Sequence, residues 1–186
     1  MSTPRNIAVL VGSLRKDSFN RRIAKNIVEV APASVRCSFL EIGELPHYNQ
    51  DLETASPPAS WTQFREAIKA SDGVIFVTPE YNRSIPGTLK NAVDVGSRPS
   101  GHSAWRGKPA AVVSVTQGAL GGLAGGVALK QALSPLAMPL LPAPEIYIGG
   151  VASLYDGEGK LNEKTRELLQ KFMESFAQWV ERNGTT

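Results

Sequence analysis

The feature of this chain that most restricts its fold is an alternation. Short, nearly continuous apolar runs take turns with segments whose apolar residues recur every three to four positions. Residues 7–11 (IAVLV), 73–78 (GVIFVT) and 110–115 (AAVVSV) are runs of the first kind, as expected of strands buried on both faces. Residues 35–42 alternate loosely and read as a further strand, and LLPAPEIYI holds a short fifth one. Between them, Phe19, Ile23, Ile27 and Val30 share one helical face behind Ser18, which is suited to cap it. Trp61, Phe64 and Ile68 mark a second helix, and Pro86 opens a third over 87–96. A fourth is expected over about 127–137, with Pro135 as a kink or early stop. The last carries a broad stripe of Leu168, Leu169, Phe172, Met173, Phe176, Trp179 and Val180. Strands that alternate with helices imply right-handed crossovers and a parallel sheet. The expected architecture is α/β: a doubly wound, five-stranded parallel sheet, order 2-1-3-4-5, with helices on both faces.

Bulk properties fit that picture. The chain has 186 residues, 42% of them hydrophobic, enough for one domain with a proper core. No repeat, low-complexity tract or linker divides it, so one domain over 1–186 is expected, with a disordered tail at about 183–186. The net charge of +3, without a dense Lys/Arg block, argues against nucleic-acid and membrane-surface roles but suits small anionic ligands. Cys37 is the sole cysteine, so no internal disulfide can form, which favours a reducing compartment. MSTPRN leads straight into a strand without the pattern of a signal peptide, and no apolar run approaches the roughly 20 residues of a membrane helix. A soluble, cytoplasmic protein is expected.

In an open parallel sheet, ligands bind beyond the carboxyl ends of the strands, where the strand order reverses. The loops at 12–20, 79–86 and 116–126 leave strands one, three and four, and they are the loops of unusual composition. In the first, free N–H groups at a helix start favour an anion. Ser13 and Ser18 add hydroxyl donors, Asn20 an amide, and Arg15 a fork of N–H groups suited to phosphate. Neither G-x-x-x-x-G-K-[ST] nor G-x-G-x-x-G occurs there; serines replace the glycines, which favours a terminal monophosphate over a pyrophosphate. In the second, Pro79 and Pro86 stiffen the two ends around Glu80, Tyr81 and Asn82, a backbone able to face the edge of a flat heterocycle. In the third, TQGALGGLAGG lets backbone approach a ligand closely. Each loop also has a plainer reading when taken alone: a capped turn, a surface turn with Tyr81 packed, a flexible connection.

Other chemistries find little support. With His47 and His102 the only histidines, a His/Cys metal site is not expected. No G-x-S-x-G elbow is present. Cys37 sits in a strand and reads as inert packing, Asp94 and Glu145 as caps or ion-pair partners, and Trp105 and Trp179 as packing residues.

Taken together, GSLRKDSFN, TPEYNRSIPGTLKNAVD and GKPAAVVSVTQGALGG resemble the NADPH-dependent FMN reductase family, closest to its bacterial quinone and chromate reductases. The resemblance runs from about Ile7 to Gly122, and LPHYNQDLE looks like the family's variable loop. It implies a flavodoxin-like fold that binds FMN. It maps Ser13, Arg15, Ser18 and Asn20, with neighbouring Phe19, to the phosphate loop. Pro79, Glu80, Tyr81 and Asn82, with adjoining Arg83, map to the isoalloxazine, and Thr116, Gln117 and Gly118 to the loop after strand four. NADPH or NADH would deliver hydride to FMN N5 and a small oxidant (quinone, flavin, azo dye or chromate) would take the electrons, so no side chain is assigned as catalytic. A flavodoxin-like electron carrier and a non-catalytic FMN-binding module stay open as alternatives. The resemblance also implies a homodimer or homotetramer. Relatives often carry an arginine two residues after the Gly-Gly pair that helps in subunit contacts; here Ala124 stands in its place.

Overall fold

The computed structural model describes residues 3–184. Strands β1 (Arg5–Val11), β2 (Val35–Leu40), β3 (Gly73–Thr78), β4 (Ala110–Val115) and β5 (Ile146–Ile148) form one sheet in the order β2-β1-β3-β4-β5. Every neighbouring pair is parallel. This is the architecture the alternation predicts. The helices are α1 (Phe19–Glu29), α2 (Ala59–Lys69), α3 (Gly87–Gly96), α4 (Leu123–Leu133) and α5 (Glu163–Asn183).

The strands read as continuous apolar runs because the sheet has a core on each face. Ile7, Val9, Val11, Ile75, Val77, Ala111, Val113 and Val115 point to one side, where α1 and α5 cover them with Ile23, Ile27, Leu169, Phe172 and Phe176. Ala8, Leu10, Val74, Phe76 and Val112 point to the other, under α2, α3 and α4. The period of two along each strand thus distributes its residues between two helical layers.

Four expectations need correction. Strand two stops at Leu40; Ile42, 2% exposed, has already joined the core beneath α2 and α3, so the chain has turned off the sheet edge. The fourth helix begins four residues earlier than 127, at Leu123, so Ala124, Gly125 and Gly126 lie inside it rather than in the preceding loop. It ends at Leu133, and a 3-10 turn, Ser134–Leu136, follows, because Pro135 has no N–H to extend an α-helical ladder. On α5, Leu168 faces solvent; the stripe that meets the sheet is Leu169, Phe172, Met173, Phe176, Ala177 and Val180. Of the tail expected at about 183–186, Asn183 closes α5 and Gly184 caps it, while residues 185 and 186 lie outside the described residues.

The long connection after β2 is well fastened, which its loop-like sequence conceals. Asn91 accepts from Tyr48 N–H at 2.7 Å and donates to Leu45 O and Pro46 O. Arg65, buried on α2, donates to both carboxylate oxygens of Glu53 at 2.9 and 2.7 Å and through Nε to Val95 O. Among the described residues, no helix is long and apolar enough to cross a membrane.

Trp105 anchors the second core. Its ring is wholly buried among Phe64 and Phe76, and its Nε1–H donates to Val93 O at 2.9 Å, which satisfies the indole's one donor. The indole lies flush against the end of α3: a Cβ on Gly96 would sit 2.4 Å from Trp105 Cε2. Alanine for glycine in a helix ordinarily adds stability. Here the sign reverses: Gly96→Ala should cost about 1–3 kcal/mol of unfolding free energy through overpacking, read as a lower midpoint in urea.

Candidate functional site

The sheet order places the ends of β1 and β3 side by side, and from there α1 goes to one face and α3 to the other. Gly12 N–H donates to Val77 O at 2.8 Å, and beyond this rung the two chains part. A side chain on Gly12 would press on Leu89 at 3.1 Å and on Pro79 at 3.3 Å. Glycine is therefore what lets the first loop run close to the second.

A cleft opens at this divergence. It is lined by Ser13, Arg15, Ser18, Phe19 and Asn20 from the first loop and α1, by Pro79, Glu80 and Tyr81 from the second loop, and by Thr116 and Gln117 after β4. These ten of the thirteen expected site residues come together on three separate loops. Val115 and Val151 complete the wall. Neither was expected: Val115 is the last residue of β4, and Val151 reaches the cleft only because β5 lies beside β4.

The first loop is a donor-rich pocket. Ser13, Ser18 and Asn20 are all at most 5% exposed, while Arg15 is exposed. Ser18 caps α1 as expected: its Oγ accepts from Arg21 N–H at 3.3 Å and keeps its own proton to donate outward. Arg21 is drawn aside by a two-pronged pair with Glu41, 2.8 and 2.7 Å, whose hydrogen bonds hold that carboxyl below its usual range. Among the described residues Arg15 forms no ion pair, so its charge is available at the cleft.

Asn20 differs from its neighbours. Its Nδ2 donates to Val115 O at 3.2 Å, which fixes the amide's orientation. Its Oδ1 is buried and has no hydrogen-bond partner. A buried acceptor without a donor is costly, and since Asn20 lines the cleft, a donor bound there would offset that cost.

The second loop turns tightly. Tyr81 and Ser84 exchange both backbone hydrogen bonds, 2.9 and 3.0 Å, around Asn82 and Arg83, whose φ angles are +50° and +65°. Positive φ at both central positions is the geometry of a type I′ turn. Asn82 and Arg83 thus form the tip and do not line the cleft. Glu80 sits behind the rim, its Oε2 accepting from Gly125 N–H in the first turn of α4 at 3.1 Å and its Oε1 3.5 Å from Arg83 Nη1. A Cβ on Gly125 would lie 3.1 Å from Glu80 Cα, so the helix start needs glycine there to meet the loop. Gly118 also stays off the wall; its carbonyl accepts from Thr116 Oγ1 and from Gly121 and Gly150 N–H, which folds the third loop onto the segment after β5.

The chain that builds this site is similar to known proteins. The family model for NADPH-dependent FMN reductases matches residues 5–153. The chain is 57% identical over 183 residues to a quinone reductase of Pseudomonas putida, an alignment that covers 98% of each chain. It is 43% identical to a 2-hydroxy-1,4-benzoquinone reductase of a Burkholderia species, over 94% of this chain and 95% of that one. The solved structure of FerB, a flavoenzyme NAD(P)H:(acceptor) oxidoreductase from Paracoccus denitrificans, superposes with a TM-score of 0.91 at 41% identity, over 97% of this chain and 100% of that chain. The chain belongs to the NADPH-dependent FMN reductase family.

Proposed function

We propose that this chain is an FMN-dependent NAD(P)H:quinone oxidoreductase, with the cleft at the ends of β1, β3 and β4 as its cofactor site. The observation that carries this reading is the match between the cleft and one mononucleotide. Ser13, Ser18, Arg15 and the free N–H groups at the start of α1 form a nest for a terminal phosphate. Asn20 Oδ1 calls for a hydroxyl donor, which the polyol next to that phosphate carries. Pro79, Glu80 and Tyr81, with Thr116 and Gln117, remain for the flat ring. A flat ring without a phosphate-bearing side chain would leave both the donor nest and Asn20 Oδ1 unserved.

FMN held by these residues would supply the redox chemistry, hydride acceptance from a nicotinamide and two-electron delivery to an oxidant. The chain's own work is to bind, orient and shield. The second loop is held rigid by its type I′ turn and by Glu80, whose carboxylate is occupied by Gly125 N–H and Arg83. Glu80 is thereby a tether for the loop, and no proton transfer is assigned to it. Asn82 and Arg83 act from the turn tip, and Gly118 from beneath the third loop, by shaping backbone that the cofactor meets.

The cleft encloses only about 190 Å³, against roughly 300–1,000 Å³ for a typical small-molecule site. A cleft of that size would leave part of a bound ring uncovered by this chain, which suits a reductase that serves nicotinamide and quinone in turn. Beside it, Leu120, Leu123 and Val127 stand exposed, and the outer side of α4 is apolar up to Ala128, with Lys130 and Gln131 following in its last turns. A helix of that kind is suited to burial. A second copy of the chain over α4, in a homodimer or homotetramer, would cover the helix and form one side of the cleft mouth without the arginine that Ala124 replaces.

Three outcomes follow from this reading. Protein loaded with FMN and mixed without oxygen with NADPH or NADH should lose its yellow absorbance, and benzoquinone should restore it with one quinone consumed per nicotinamide. Colour that persists with both nicotinamides would overturn the proposal. Arg15→Ala should weaken FMN binding by about 1.5–3 kcal/mol, the range for a charge-assisted hydrogen bond, in a fluorescence titration of the apoprotein. Sedimentation should show an oligomer that Val127→Lys shifts toward monomer, since a buried unpaired ammonium opposes association.

A further inference from the structure

The segment after β5 packs beside the cleft. After β5 the chain makes a 3-10 turn, Val151–Leu154, then a short hairpin in which Tyr155 pairs with Leu161, before α5 begins. The segment leaves the cleft wall at Val151, whose N–H donates to Thr116 O at 3.3 Å. It then crosses over α1. Tyr155 stacks on Phe19, with ring centroids 6.4 Å apart and planes 29° from parallel. The Arg22 guanidinium lies 3.7 Å from the Tyr155 ring centroid and 5.6 Å from that of Phe19. Tyr155 Oη–H donates to Asn26 Oδ1 at 2.9 Å, and Arg22 Nη2–H donates to Gly159 O at 3.4 Å. The segment is thus fastened to α1 at Phe19, Arg22 and Asn26, which follow one another along the helix at intervals of three and four.

Phe19 is where this fastening meets the ligand. It is the first residue of α1, it is one of the residues lining the cleft, and its N–H belongs to the unpaired first turn, which is suited to an anion. Tyr155 and Arg22 do not touch the space where a mononucleotide would lie; Tyr155 is absent from the wall. They act through Phe19. Helix starts fray unless something holds them, and here the binding groups are the helix start itself.

We propose that residues 151–161 form a strap whose Tyr155–Arg22–Phe19 stack holds the first turn of α1 in its binding geometry, making Tyr155 and Arg22 positioning residues for the phosphate end of the site. A strap that served only the stability of the fold would alter melting and leave the affinity of the folded protein unchanged. A strap that prepares the site lowers the ordering cost of binding, so its loss appears in the affinity itself. The inference rests on the mononucleotide reading given above.

FMN titration of apoprotein at 25 °C, followed by flavin fluorescence, tests it, with apoprotein melting recorded in parallel. Tyr155→Ala removes the stack without changing any charge and should raise the FMN dissociation constant about tenfold. Tyr155→Phe keeps the ring and loses only the bond to Asn26, so it should bind within about twofold of wild type, rescuing affinity. Arg22→Lys keeps the charge but cannot lie flat on a ring, and should fall nearer to Tyr155→Ala than to wild type. At saturating FMN, kcat should stay at the wild-type value while the FMN concentration for half activity rises. Folded Tyr155→Ala with wild-type affinity would overturn the strap. Were that variant not to fold, wild-type affinity in Arg22→Lys would do so. Wild-type protein that binds no FMN would instead overturn the mononucleotide reading.

Discussion

The structure depends on a parting of two neighbouring strands. β1 and β3 pair in parallel up to the bond from Gly12 N–H to Val77 O, and then their helices must go to opposite faces of the sheet. Parallel connections allow no other outcome at a point where strand order reverses. A crevice follows as a geometric necessity, rimmed by backbone whose hydrogen bonds are no longer taken by the sheet. The rest of the molecule exploits that opening.

Three loops occupy it, and each is held by something behind it. The first is the capped start of α1, set by Ser18 and tied to β4 through Asn20. The second is stiffened by its own turn and by Glu80, which joins it to the start of α4. The third is folded against the segment after β5 by the carbonyl of Gly118. Each loop is therefore bound to an element distant in sequence. A cofactor placed among them meets a surface organised in advance, which is what a protein supplies when the chemistry belongs to the cofactor. Cys37, its thiol pushed up to about 11 by burial, stays outside this arrangement as a packing residue.

Much of this was legible in the sequence. Strands three and four and the third helix fall where their patterns place them, because residues buried on two faces and a proline at a helix start leave little freedom. The serines, the arginine and the two prolines marked the loops by composition. The start of α4 was not legible, because LGGLAGG reads as flexible by itself. Its glycines are there for contact: Gly125 for Glu80, and Gly126 for Tyr147, whose Cε1 would lie 2.9 Å from an added Cβ. Leu168 and Trp179 fell on the expected stripe of α5, but a stripe drawn from spacing is wider than the groove it must enter, and Leu168 lies outside it. Val151 and Tyr155 carried no motif at all.

By itself, then, the sequence determined the parallel sheet with a core on each face, the loops that carry chemistry and the chemical character of each, since these follow from periodicity and residue type over short stretches. Only the tertiary structure decided which groups remain without partners and which side chains hold others in place. Asn20 Oδ1 stands alone because Val115 O has taken the amide's other end, and Tyr155 stacks on Phe19 across 136 positions of chain. Such relations depend on distances between segments that local pattern does not encode, because hydrogen bonds and stacking act over a few ångströms of space regardless of separation along the chain.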